Sequence, residues 1–292
     1  MILPVELDYL VIGHVTRDLS EDSFTLGGTV TYSSHTARAM GERVGVVTST
    51  NAELDLSEVF DHIVVTRSES ADTTTFENVY LDGRRRQVVH SHANILTPDM
   101  VPENWRPAIV HVGPIAQECD VSLSDAFADS FLGVTPQGWM RRWDGDGQVF
   151  YGEWEDADKW LARADAVVLS DEDVCDNKGL IKSYAAQTRL LVVTHGVVGY
   201  TIYSDGDSQD FEAEDVEQID PTGAGDVFAA AFFVALNRAN DPRAAARFAN
   251  CVAACSVTRP GLSGIPGPEE IARCQALTSC AGESDANRLR VG

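Results

Sequence analysis

The chain is poor in lysine and in positive charge generally. Its lysines are Lys159, Lys178 and Lys182, and Lys plus Arg number 22 against 45 Asp plus Glu, for a formal charge of −23 at pH 7. So acidic a surface repels nucleic acid and anionic membranes and excludes both as partners. It also repels ATP at long range, so an anion site here has to be built locally, from backbone N–H groups, a metal ion and a few arginines. The acidity is equally compatible with a saline habitat and with solubility alone. Long apolar runs are missing too: the longest, Val227 to Leu236, is too short to span a bilayer. The start, Met-Ile-Leu-Pro-Val-Glu-Leu-Asp, has neither the basic residues nor the apolar core of a signal peptide. The six cysteines, Cys119, Cys175, Cys251, Cys255, Cys274 and Cys280, contain no Cys-x-x-Cys and no His at zinc spacing. They are expected to be reduced thiols in a cytoplasmic protein, with Cys251 and Cys255 as buried small side chains in an Ala-rich helix. Repeats, low-complexity linkers and composition breaks are absent, so residues 1–292 read as one domain.

Apolar periodicity supplies the order of elements. Tyr9 to Gly13 reads as a short strand, Gly27-Gly28 opens a helix from Thr29 to Met40 stopped by Gly41, and Val44 to Thr48 reads as a second buried strand. Strand, helix, strand in so short a stretch predicts a βαβ unit and a parallel sheet. Thr73 to Leu81 and Arg85 to Val89 flank Asp82-Gly83, a hairpin turn signal, and read as an excursion from that sheet. Core strands follow at Ile109 to Val112, Phe131 to Val134, Ala166 to Leu169 and Leu190 to Thr194. An antiparallel pair surrounds Asp205-Gly206. Helices are expected at 226–238, from Pro242 to about Val257 and from near Pro268, with a frayed polar tail from Glu283.

Residues 220 to 226 read Asp-Pro-Thr-Gly-Ala-Gly-Asp and run into the apolar stretch that follows. Small residues leave several N–H groups able to point at one anion, at the positive end of a helix dipole. Asp226 closes the loop. A carboxylate is repelled by an anion, and its place there is explained if it takes a proton from a hydroxyl that attacks a phosphate. The plain alternative is an N-terminal turn on a buried helix.

Four further groups fall at ends of strands, where open α/β sheets bind ligands. Thr194-His195-Gly196, with Gly199 beyond, suits phosphate or ribose, or is simply a turn. Ser170-Asp171-Glu172-Asp173 could organise Mg²⁺ through waters, and fits equally well as a capped acidic helix start. Asp18, in Gly13-His14-Val15-Thr16-Arg17-Asp18, together with Gly27 and Gly28, could accept and approach substrate hydroxyls. In Gln137-Gly138-Trp139-Met140-Arg141-Arg142-Trp143, Gln137 and Arg141 lie where the crevice should be, and Trp139 and Trp143 either wall it or pack.

These pieces resemble, in order and across almost the whole chain, the ribokinase-like, or PfkB, carbohydrate kinase family. The resemblance rests on Asp220 to Asp226, supported by Asp18, Gly27-Gly28, Thr194-x-Gly196, Arg247-Phe-Ala-Asn250 and Ser256-Val-Thr-Arg-Pro-Gly261. It implies a three-layer αβα sandwich with a mainly parallel central sheet and a small β lid made from about 16–26 and 73–92. It further implies Asp226 as catalytic base, the N–H groups of Gly223, Ala224 and Gly225 as anion hole, and Asp18 and Gly28 on the acceptor. Thr194, Gly196 and Asn250 would lie near ATP, and Asp220 and Thr222 at a monovalent-cation site such as K⁺. The family's Asn-x-x-Glu magnesium motif stands here as Ser170-x-x-Asp173, with Glu172 a competing ligand. Tyr32 stands where ribokinases proper carry Asn, which argues against ribose. The segment from Gln137 is similar to the branch containing myo-inositol kinases.

The expected activity is ATP-dependent phosphorylation of a small sugar or polyol, with Arg141 helping to stabilise the transferring charge. Two rivals remain: a nucleoside kinase in which Phe24, Tyr32 and Trp139 stack a base, and an idle sensor that binds sugar or nucleotide without turnover. A monomer and a lid-mediated homodimer are both compatible with the chain.

Overall fold

A computed structural model describes residues 5–20, 23–81 and 84–288. The chain opens with β1 (Val5–Ile12), the hairpin of β2 (Thr16–Ser20) and β3 (Ser23–Gly27), helix α1 (Thr29–Ala39), β4 (Val44–Asn51) and β5 (Val64–Ser70). A second hairpin follows, β6 (Thr75–Leu81) and β7 (Arg84–Ser91), then β8 (Trp105–Val112), β9 (Phe131–Val134), and the short pair β10 (Arg141–Trp143) and β11 (Val149–Tyr151). The remainder is α2 (Ala157–Arg163), β12 (Ala166–Ser170), α3 (Lys178–Ala185), β13 (Leu190–Thr194), β14 (Gly199–Ser204), β15 (Asp207–Glu212), α4 (Ala224–Ala239), α5 (Pro242–Ser256) and α6 (Pro268–Arg288).

Nine strands form the main sheet in the order β15-β14-β13-β12-β9-β8-β1-β4-β5. From β13 to β5 neighbours run parallel, and β14 and β15 close one edge antiparallel. Both faces are buried, as parallel strands require. Alternation along β1 shows it: Tyr9 and Val11 join the cluster under α1, α4 and α5, while Leu10 and Ile12 join the one under α2 and α3. The first cluster is closed by the Val227–Leu236 stretch of α4, whose Phe228, Phe232 and Phe233 are buried. The second holds Trp139 stacked on Trp154 at 5.3 Å and against Trp160 at 4.4 Å. Trp139 is thus a packing residue.

The lid expected from 16–26 and 73–92 is a four-stranded sheet, β3-β2-β6-β7, in which β2 runs parallel to β6. It is pinned at the end of β1 by His14, which is buried and bonded to Thr74 Oγ1 at 2.7 Å and to the Asn94 carbonyl at 2.8 Å. Its inner face carries Phe76 and Val89 onto Ile115 and Ala116. The Asp82-Gly83 turn lies outside the described residues, and the pairing of β6 with β7 on either side of it is the expected hairpin.

Three expectations change. The stretch from Glu283, read as a frayed tail, continues α6 to Arg288; it contains no proline or glycine before that point to stop a helix. Cys251 and Cys274, expected as free thiols, form a disulfide between α5 and α6. Local spacing could not announce it, because the partners are 23 residues apart and meet only through helix packing. The disulfide also removes the reduced-thiol part of the argument for a cytoplasmic location. Elements without a long apolar run went unmarked: β5, β10 and β11, α2 and α3. β5, for instance, is an edge strand of mostly solvated residues. Among the described residues no helix is long and apolar enough to cross a membrane.

Seating α4 on the sheet depends on Gly133 of β9. A Cβ there would come within 2.6 Å of the Phe233 ring. Gly133→Ala is therefore expected to overpack the interface and cost about 1–3 kcal/mol, read as a lowered urea midpoint with an unchanged slope.

Candidate active site

The loop before α4 is built by its own small and acidic residues. Gly223 is the N-cap of α4 with φ 76, a left-handed conformation that suits glycine. A Cβ there would also run into the Tyr32 ring, which is buried beneath it. Asp220 ties the loop down: one carboxylate oxygen accepts from Thr222 N–H at 2.9 Å and the other from Gly261 N–H at 2.8 Å. Burial raises the Asp220 carboxyl, but these hydrogen bonds outweigh it and leave the pKa below the ordinary value. Ala224 N–H turns back to the Pro221 carbonyl at 3.1 Å. Of the three N–H groups expected to form an anion hole, that of Ala224 is thus occupied by the turn itself, which leaves Gly223 and Gly225. Gly225 is exposed, with open space where a side chain would stand.

Asp226 follows in the first turn. Burial pushes its carboxyl up to about 6, and the nearby Asp173 charge adds to that rise. A hydrogen bond with the Thr29 side chain and the charge of Arg141 act the other way. The result is a carboxylate poised near neutrality at a helix N-terminus.

The acceptor side comes from the lid and α1. Asp18 lies on β2, where Thr16 Oγ1 donates to it at 3.3 Å. A Cβ on Gly27 would collide with the Asp18 carboxylate, and one on Gly28, at φ 86, with the His14 carbonyl. The two glycines therefore let Asp18 close onto the turn that starts α1. Tyr32, one turn into α1, has its hydroxyl pKa raised by burial first and then by the charges of Asp18, Asp220 and Asp226. Three expected site carboxylates thus converge around one ring.

The third wall follows β9. Gln137 Nε2 donates to Asp173 Oδ1 at 2.9 Å, and Ser170 N–H donates to Asp173 Oδ2 at 2.9 Å. Burial raises the Asp173 carboxyl against these bonds and the charge of Arg141. Arg141 donates to the Ile115 carbonyl at 3.1 Å and lies 5.4 Å from the centre of the Phe76 ring of the lid. The run 170–173 thus divides its carboxylates. Asp173 faces the site, Glu172 is exposed, and Asp171 Oδ2 pairs with His195 Nδ1 at 2.7 Å.

At the other end of the crevice, Thr194 ends β13 and Gly196 is exposed at φ 55. Gly199 is buried, and its lack of a Cβ is explained by the Phe211 carbonyl packed against it. Asn250 Nδ2 donates to the Glu212 carbonyl at 3.3 Å, which places α5 beside the β15 end. Val197 and Val198 are exposed beside Gly196, at 78% and 71%, and Ile219, at 62%, is exposed just before the 220–226 loop. Ala213 N–H donates to the Val198 carbonyl, and Ile219 N–H to the Val257 carbonyl.

Thr29 and Phe76 were not singled out from the sequence. Thr29 could have been, since it stands directly after the paired glycines at a helix N-terminus. Phe76 could not, because its contact with Arg141 exists only once the lid is folded over.

Comparison with known proteins agrees with this geometry. Residues 148–268 match the profile of the pfkB family carbohydrate kinases. A fructokinase of Klebsiella pneumoniae is 26% identical over 234 residues, 71% of this chain and 75% of that one. An ATP-dependent ribose-1-phosphate kinase of Halopiger xanaduensis is 28% identical over 178 residues, 60% of this chain and 57% of its own length. Among solved structures, a pyrophosphate-dependent kinase in the ribokinase family, complexed with a pyrophosphate analog and myo-inositol, superposes with a TM-score of 0.78 at 23% identity, covering 91% of this chain and 99% of that one. The chain is therefore similar to the pfkB family carbohydrate kinases over residues 148–268, has the ribokinase fold, and is a phosphotransferase whose acceptor is a hydroxyl.

Proposed function

We propose that residues 1–292 act as one unit that transfers the terminal phosphoryl group of ATP to a hydroxyl of a small sugar or polyol, myo-inositol among the candidates. The observation that carries this reading is Asp226: a half-buried carboxylate with its pKa raised to about 6, one residue beyond the open Gly225. Asp18 and the Gly27-Gly28 turn orient the acceptor. Asp226 takes the proton of the attacking hydroxyl. The Gly223 and Gly225 N–H groups and Arg141 receive the charge of the transferred group. The lid excludes water, the competing acceptor.

The preference for ATP is supported by the exposed Val197, Val198 and Ile219, which offer apolar surface to a nucleobase. Pyrophosphate has no part that would use it. A sugar or polyol is preferred to a nucleoside because the aromatics expected to stack a base are engaged. Trp139 lies in the tryptophan cluster, Tyr32 lies under Gly223, and Phe24 has the Arg17 guanidinium 4.3 Å from its ring centre. The oxygen donors of Asp173 suit Mg²⁺, held through water as that ion prefers, and bound Mg²⁺ would neutralise donor phosphate charge. Asp220 and Thr222 are the candidates for a monovalent cation. The poised base favours an active kinase over an idle sensor. The edge strand β3 of the lid is where a second copy would pair if the protein is a dimer, since β7 is already met by Gly147 and Gln148.

Asp226→Asn is expected to lower kcat by at least about 10³-fold while ATP binding, measured by calorimetry, persists. Near-normal turnover would remove Asp226 from the mechanism. The same variant has a stability signature. The carboxyl's pKa is about 6 in the fold against an ordinary value of 3.8, so ionising it costs the folded state roughly 3 kcal/mol above pH 6. Asp226→Asn should therefore melt above wild type at pH 8, and the gain should shrink as pH falls through 6 toward 4.

Because the base must be ionised, kcat should fall tenfold per pH unit below about 6. Arg141 favours the ionised form, so Arg141→Gln should move this acidic limb to higher pH. A limb that stays in place in that variant would separate Arg141 from Asp226.

Donor and acceptor are tested together by measuring turnover of inositols, hexoses, pentoses and nucleosides with ATP and with pyrophosphate. Turnover with a polyol or sugar and ATP is expected. Activity with pyrophosphate alone would overturn the donor assignment, and activity confined to nucleosides the acceptor.

A further inference from the structure

Three sulfurs meet where α5 packs on α6. Cys251 and Cys255 lie one turn apart on α5 and face Cys274 on α6, with all three sulfur atoms within 4.8 Å of one another. Cys251 and Cys274 are bonded, and Cys255 is a free thiol. All three are buried, and the chemistry at Asp226 uses none of them. Arg273 Nη2 donates to Cys255 Sγ at 3.4 Å, which aims a positive charge at the one sulfur able to act as nucleophile.

We propose that this cluster is a thiol–disulfide exchange site, in which the tether holding α6 passes between Cys251 and Cys255. Cys255 Sγ gives up its proton and attacks Cys274 Sγ. The Cys255–Cys274 bond forms as the Cys251–Cys274 bond breaks. The electron pair leaves on Cys251 Sγ, which takes up a proton, so one thiol and one disulfide are present before and after. No outside oxidant or reductant enters the balance, and burial favours the internal thiol over bulk ones. Four residues of helix separate the two attachment points by about 6 Å, so the exchange moves the tether along α5 by one turn.

The far end of α5 supports the anion loop. The Val257 carbonyl accepts from Ile219 N–H at 2.8 Å and from Asp220 N–H at 3.1 Å, and Gly261 N–H donates to the Asp220 carboxylate. Between these points and α6, Arg259 pairs with Glu270 at 2.9 Å. The tether's position thereby reaches Asp220 and donor affinity. This consequence rests on the kinase reading above, whereas the exchange itself does not.

The experiment is disulfide mapping of the full-length protein. Samples are quenched in acid, denatured, alkylated with N-ethylmaleimide and sequenced by fragmentation. Wild type is expected to yield two species, one with Cys255 alkylated and one with Cys251 alkylated. Cys251→Ser, incubated with glutathione disulfide, should form the Cys255–Cys274 bond, and Cys255→Ser should hold Cys251–Cys274 alone. Under the kinase assay the two variants should differ several-fold in donor KM at similar kcat. The proposal fails if wild type yields only alkylated Cys255 and a folded Cys251→Ser, judged by circular dichroism, keeps Cys255 and Cys274 as thiols. It also fails if the reduced protein holds one zinc ion per chain and then recovers no disulfide, since the cluster would then be a metal site. Both bonds forming with equal donor KM would overturn the link to Asp220. If Cys251→Ser does not fold, the wild-type map decides alone.

Discussion

The structure turns on keeping one carboxylate partly out of water at the mouth of a helix. Left alone in an apolar environment, Asp226 would take a proton and lose the ionised form that the proposed mechanism needs. It is kept within reach of ionisation by three things placed from three directions: the N-terminal turn of α4, the Thr29 side chain from α1, and the charge of Arg141 from the start of β10. Each is weak by itself. Together they require that α1, α4 and the end of β9 stand in fixed relation, and the apolar layer between α4 and the sheet supplies that relation. Gly133 under Phe233 and the Val227–Leu236 stretch are thus part of the electrostatics as much as of the core.

The same constraint explains how so acidic a chain can handle phosphate. Four carboxylates, Asp18, Asp173, Asp220 and Asp226, face the crevice or its rim, which would repel any polyanion approaching it as a whole. Most are committed at short range. Asp220 accepts from two backbone N–H groups, Asp173 from Gln137 and Ser170, and Asp18 from Thr16 Oγ1. The charge left to face a ligand is smaller than the composition suggests, and Arg141 sits where it offsets both Asp173 and Asp226.

The central sheet could be read from the sequence because parallel strands buried on both faces appear as short apolar runs, and β9, β12 and β13 fell within a residue of where those runs predicted. The loop at 220–226 could be read because small residues and a closing Asp have a backbone reason to be there. What stayed hidden is what depends on distant partners. Tyr32 under Gly223, Phe76 against Arg141 and the Cys251–Cys274 bond all join residues that no local pattern associates. Short, partly solvated strands such as β5 and β10 escaped for a different reason: half-solvated edge residues carry no periodic apolar signal. The acidic run 170–173 lies between these cases. Its position at a strand end was legible, but the sorting of its carboxylates to Gln137, to solvent and to His195 needed the fold.

The ring of Tyr32 has a mechanical consequence. It belongs to α1, whose first turn carries Gly28 and Thr29, and it packs against Gly223 at the head of α4. On the proposed assignment, the turn that meets the acceptor and the turn that meets the donor phosphate are packed on one another through this ring. The gap between the attacking oxygen and the transferred phosphorus would then be set by that packing before either molecule arrives. What would be left to the sheet of β2, β3, β6 and β7 is how wet that gap is, and not how wide.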